Sequence, residues 1–168
     1  MSGEDMNYNL KKIPKRMIMG LVYEGEHDLQ AMGSLWESFY QRIGEIKNIN
    51  DEKTFYGISE PFVEGEDFVY LAGVEVETIE ELPQDMQVWY LSHEDYIEVE
   101  LDLSEKKSAS QGFSEIYDEL LGELGLYPTD DYDYEVYNEA FYDEEPGRVF
   151  LHVPIKRDAR WKKSCIFF

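Results

Sequence analysis

In Tyr96-Ile97-Glu98-Val99-Glu100-Leu101-Asp102, apolar Ile97, Val99 and Leu101 alternate with acidic Glu98, Glu100 and Asp102, and Phe113, Ile116, Tyr117, Leu120, Leu121 and Leu124 then recur at helical steps. The first stretch has the period of a strand with one dry face. The second is the apolar stripe of an amphipathic helix. Ser108 stands three residues before Gln111, the spacing of a capping box, with Ser110 as an alternative cap, and Gly125 supplies the stop. Downstream, residues 132–142 and 148–155 read as closing strands, parted by Asp143-Glu144-Glu145-Pro146-Gly147.

The same order is already present upstream. Residues 13–23 read as a strand, and Asp28 caps a helix whose face is Leu29, Met32, Trp36, Phe39, Ile43 and Ile46, ending near Lys47. Residues 55–59 and 68–77 read as strands separated by Pro61, Gly65 and Asp67, and 86–91 is a further short strand. Residues 11–80 and 84–156 are thus expected to be pseudo-repeats of a β-α-β-β unit within one domain, 11–156. A flexible leader, 1–10, precedes it and a basic tail, 157–168, follows. Two such units pair their strands into one antiparallel sheet with both main helices on one face. That is an α+β fold with a ligand cleft between the helices.

Composition narrows the function. At 168 residues the chain suits one domain, and 15 basic against 37 acidic residues give a net charge of −22. Such a surface excludes general phosphate binding, so no direct nucleic-acid contact is expected. With 3 Trp, 13 Tyr and 9 Phe the chain is far too aromatic to be disordered. One cysteine and three histidines exclude a disulfide framework and a zinc cluster. Asp131, Asp133 and Glu135 imitate the start of a calcium loop, but Val136 and Tyr142 stand where glycine and glutamate are needed. His93-Glu94-Asp95 reads as an ordinary turn, and His152 alternates within the last strand without a nearby ligand partner. No Gly-rich phosphate loop, activated serine motif or Cys/His pair occurs, so neither metal nor cofactor is expected and catalysis has thin support. Without a long apolar run or a signal segment, a soluble cytoplasmic protein that does not engage a membrane is expected.

Glu135, within Tyr132-Asp133-Tyr134-Glu135-Val136-Tyr137, is the residue that could carry recognition. Alternation sends it to one face with Asp133 and Tyr137. Pattern alone leaves open whether that face floors the cleft, where a carboxylate among rings would attract a cation, or meets solvent. Trp36, Phe39, Phe113 and Tyr117 on the helix stripes, and Tyr56, Tyr70 and Tyr137 on strands, are the candidate aromatic wall. Taken singly, each stripe residue is equally at home in a core. From Lys156 onward the tail has five basic residues and one acid, against −26 for residues 1–155. Cys165 has the spacing of a prenylation site, but Phe167 in the aliphatic slot speaks against it. Docking on the acidic body or on a neighbouring chain fits better.

Phe55-Tyr56-Gly57-Ile58-Ser59, Phe68-Val69-Tyr70-Leu71-Ala72-Gly73-Val74-Glu75-Val76, Leu82-Pro83, Tyr134-Glu135-Val136-Tyr137 and Val153-Pro154-Ile155-Lys156 together resemble the gyrase-inhibitor-like (GyrI-like) domains. These also form the effector-binding domains of AraC-type and multidrug-sensing MerR-type regulators. The likeness runs from about Lys11 to Lys156. It implies a duplicated β-α-β-β fold, Glu135 as the cleft carboxylate, and lipophilic, often cationic ligands held against aromatic rings. Trp36 and Phe113 match by register only. Only the ten-residue leader precedes the expected domain, so the stand-alone form, without a DNA-reading module, is expected.

The leading expectation is therefore a small-molecule-binding protein linked to transcription regulation or drug sequestration, monomeric or homodimeric. An acidic inhibitor of a DNA-processing enzyme, binding a protein partner through charge, is the alternative. A third reading is a hydrolase using Glu135 as base and a neighbouring tyrosine as acid.

Overall fold

A computed structural model describes residues 6–61, 64–105 and 108–157. The first unit comprises β1 (Asn7–Lys12), β2 (Arg16–Gly25), α1 (Leu29–Arg42), β3 (Phe55–Ser59) and β4 (Phe68–Val76). The second comprises β5 (Met86–Leu91), β6 (Asp95–Asp102), α2 (Ala109–Glu115), α3 (Leu121–Leu124), β7 (Tyr127–Pro128), β8 (Asp133–Tyr137), α4 (Glu139–Tyr142) and β9 (Arg148–Lys156). A π-helical turn, Ile116–Leu120, joins α2 to α3 into one continuous second helix.

The sheet is antiparallel and follows the order β1-β6-β9-β8-β3-β4-β2-β5, with β7 pairing β9. The two β-α-β-β units therefore occupy mirror positions, β6-β9-β8 beside β3-β4-β2, and meet at the β3–β8 pair. Each unit's leading strand is exchanged: β1 pairs with β6 of the second unit, and β5 with β2 of the first. Residues 13–15 and 92–94 each connect strands six places apart. A flat sheet would separate those strands by about 29 Å at about 4.8 Å per step. Three linking residues reach at most about 15 Å. The sheet must curl until its edges approach, and Ile13 N donates to Glu94 O at 2.8 Å where the two links meet.

Three apolar clusters fill this shape. Met19, Leu21, Ala72, Val74 and Met86 pack under α1 with its fully buried Phe39. Ile97, Val99, Leu101, Leu151 and Val153 pack under the second helix with Ile116, Leu120 and Leu121. Inside the curl, Ile18, Tyr56, Leu71, Trp89, Tyr96 and Tyr134 pack together from six strands. The helices thus cover the two flanks of the outer face and leave β3 and β8 between them.

Capping proceeds as the residue types require. The Asp28 side chain accepts from Gln30 N, Ser108 and Gln111 form a reciprocal capping box, and Gly125 ends the second helix in the left-handed region at φ 67°. Three expectations need correction. The leader is not loose from Asn7 onward, since Asn7–Lys12 is an edge strand; its six residues are all exposed, and backbone pairing to β6 orders it, with polar side-chain contacts from Asn7, Lys11 and Lys12 to Glu100, Glu98 and Asp95. The first strand of the repeat starts at Arg16 and not at residue 13. The strand expected over 132–142 stops at Tyr137, because the Asn138 side chain accepts from Ala140 N and starts α4. Residues 1–5 and the basic tail beyond Arg157, with Cys165, lie outside the described residues.

Candidate functional site

Between the helices lies a cavity of about 630 Å³. Leu29 and Met32 come from α1, Phe113 and Tyr117 from the second helix, and Tyr70 and Glu135 from the sheet. The floor is open because β3 turns Phe55, Gly57 and Ser59 outward, and the last two are small. Across from them β8 turns out Asp133, Glu135 and Tyr137, with Gly57 opposite Glu135 and Ser59 opposite Asp133.

Glu135 is only 8% exposed. The Tyr70 hydroxyl donates to its Oε1 at 2.7 Å and accepts from the Trp36 indole N–H at 3.1 Å. Trp36 meets Tyr137 edge to face, with ring centroids 5.6 Å apart. Burial pushes the Glu135 carboxyl above its ordinary range, and hydrogen bonds from Tyr70 and Tyr137 only partly offset this. The same burial, with the negative charge of Glu135 beside them, raises the Tyr70 and Tyr137 phenols, so both remain neutral donors.

A second carboxylate shares the floor. Asp133 Oδ1 accepts from the Tyr117 hydroxyl at 2.5 Å, and burial, opposed by that bond, moves Asp133 up to about 6. Exposed Glu26, Glu60, Glu66, Asp67 and Asp118 complete an acidic lining. Among the described lining residues there is no lysine or arginine.

Of the eight residues singled out from sequence, Glu135, Tyr70, Phe113 and Tyr117 line the cavity, while Trp36 and Tyr137 buttress it from behind Tyr70 and Glu135. Phe39 is not there: it is 0% exposed in the core beneath α1. Tyr56 is not there either. Its register beside Val136 turns it into the curl, one residue out of phase with Gly57. Asp133 was absent from that set, although its alternation with Glu135 was the signal for it.

Tyr56 instead borders a second, polar hollow inside the curl. There the Arg16 guanidinium lies over the rings of Tyr56, Tyr96 and Tyr134 and donates to the Tyr134 hydroxyl. His152 Nε2 faces Glu98 Oε2 at 2.9 Å, and Nδ1 faces the Tyr134 hydroxyl at 3.0 Å. A carboxylate can only accept, so Nε2 carries the proton and Nδ1 accepts from Tyr134. Burial holds His152 below its usual pKa despite Glu98. The nearest partners of the histidine are thus Tyr134 and Glu98, from strands that sequence spacing did not bring to mind.

The structure of SAV2435 bound to tetraphenylphosphonium superposes with a TM-score of 0.69 at 18% identity, covering 90% of this chain and 94% of that one. The EcmrR C-terminal domain gives a TM-score of 0.68 at 10% identity, with coverage of 92% and 99%. The Vibrio cholerae integron cassette protein VCH_CASS2 gives 0.57 at 15%, with coverage of 89% and 95%. At these identities the three share the fold. In sequence, the transcriptional regulator BrlR of Pseudomonas aeruginosa is 30% identical over 153 residues, 90% of this chain and 56% of its own length. The chain therefore spans about half of that relative. Among the described residues no helix is long and apolar enough to cross a membrane. The family model described as integron-associated effector binding protein matches residues 9–155, and the chain belongs to that family, Cass2.

Proposed function

We propose that the chain binds lipophilic or amphipathic cations in the cleft between its helices, with Glu135 as the counter-charge. The observation that carries this reading is a buried carboxylate on the cleft floor whose hydrogen-bond partners are neutral phenols. Glu135 is in no ion pair among the described residues. A buried anion in that state is costly, and a ligand cation stacked between Phe113, Tyr117 and Tyr70 would relieve the cost while gaining cation–π attraction. The lipophilic cation tetraphenylphosphonium in the SAV2435 structure supports the same ligand class. The likeness to BrlR supports a role in sensing for transcription regulation, and sequestration of the compound is the other use of the same cleft.

Titration with tetraphenylphosphonium, followed by the fluorescence of Trp36 and the other tryptophans, tests this. Wild type should bind, and Glu135→Gln should lose about 1.5–3 kcal/mol, the scale of a charge-assisted contact. Equal affinity of the two proteins would remove Glu135 as the anchor. Failure of wild type to bind lipophilic cations at all would remove the reading.

A further inference from the structure

Resting on that reading of the cleft, we propose that its preferred ligand carries two positive centres and that Asp133 is the second anchor. Asp133 and Glu135 are two residues apart on β8, so they share a face and stand about 7 Å apart along the strand. They are held by different walls of the same cavity, Glu135 by Tyr70 of the sheet and Asp133 by Tyr117 of the second helix. In each case the partner is a phenol, which orients the carboxylate without neutralising it. Neither carboxylate is in an ion pair among the described residues.

A ligand that fills the cleft removes water from both acids at once. One cationic centre placed on Glu135 leaves Asp133 desolvated beside it, to be protonated or to lose stability. A second centre at the matching distance uses Asp133 instead. The acidic rim, Glu26, Glu60, Glu66, Asp67 and Asp118, adds attraction that grows with ligand charge. A volume of about 630 Å³ has room for a two-headed organic ligand. A bare metal ion fits poorly, since no group of three or more ligating side chains with metal geometry occurs among the described residues.

The test uses α,ω-bis(trimethylammonium)alkanes of increasing chain length beside alkyltrimethylammonium ions of matching length, titrated calorimetrically into the whole chain. The dication whose centres match the Asp133–Glu135 spacing should bind about tenfold more tightly than its single-headed counterpart. Shorter members of the series should lose that advantage. Asp133→Asn should weaken the dication about fivefold more than the monocation, whereas Glu135→Gln should weaken both. The wild-type series decides the matter even if a variant fails to fold. Monocations and dications bound equally well by wild type would overturn the second anchor and leave the cation cleft standing. Binding of neither class would overturn both.

Discussion

Gly57 and Glu135 face each other across the β3–β8 ladder, and the side chain that Gly57 lacks would occupy the place of the Glu135–Tyr70 hydrogen bond. A β-carbon built on Gly57 falls on the Tyr70 hydroxyl and lies 2.5 Å from Glu135 Oε1. The glycine thus serves a neighbour's reach and not a turn. Gly57→Ala should destabilise the protein by about 1–3 kcal/mol, the usual cost of overpacking, and should weaken cation binding in step. Urea unfolding beside a tetraphenylphosphonium titration checks both. A variant as stable as wild type would mean that the two polar side chains move aside freely.

Tyr70 is the hub of the floor, donating to Glu135 and accepting from Trp36. Tyr70→Phe keeps the ring but removes a partner from one buried acceptor, on Glu135, and from one half-buried donor, the Trp36 indole. It should cost about 1–3 kcal/mol. The readout is the denaturation midpoint at unchanged slope, since the exposed area on unfolding is the same.

Much of this was legible in the chain. The alternation from Ile97 to Asp102 places Ile97, Val99 and Leu101 in the layer that the stripe on the second helix covers, but it also turns Glu98 toward water, whereas Glu98 is buried inside the curl against His152. Pattern alone leaves Glu135 on either face of the sheet, and the family resemblance is what implies the cleft; Tyr70 is one of several strand tyrosines whose face local pattern does not fix. Tyr56 and Phe39 went astray for a common reason. Ring size says that a side chain will be buried, but only register decides on which surface of a sheet or in which layer. β1 escaped notice because its pairing uses backbone groups, and a strand with every side chain in water has no apolar period to read. The His152–Glu98 pair joins β9 to β6, and such a contact follows from strand order, which local pattern leaves undetermined.

The carboxyl of Glu135 gives stability a definite pH slope. Its folded-state pKa is raised above the ordinary value of 4.5. The stability it contributes is therefore complete below that value and is lost as pH rises through the folded one. Glu135→Gln, neutral throughout, should gain stability relative to wild type between acidic and neutral pH. Unfolding midpoints measured from pH 4 to pH 8 check this, and parallel curves would contradict it. Cation binding should run the other way, tightening as Glu135 ionises.

His152 slopes in the opposite sense. Its folded pKa lies below the ordinary 6.5, so its contribution is present above that value and is lost as pH falls through the folded one. Glu98 adds to the same limb. Burial raises its carboxyl, but the hydrogen bonds from His152 and Lys11 outweigh that and lower it overall, so its share is lost in acid. His152→Gln should flatten the decline of the unfolding midpoint below about pH 6.5. An unchanged decline would assign acid sensitivity to other groups.

The exchange of β1 and β5 between the two units reaches beyond packing. Neither repeat owns its full complement of strands, and the piece each lacks is carried by the other along a three-residue bridge. A fragment holding one repeat would expose a raw edge where its borrowed strand belongs, inviting a second copy to fill it. The two units are therefore expected to unfold together as a single cooperative body. The cleft, built on the seam where the copies touch, exists only when both are present.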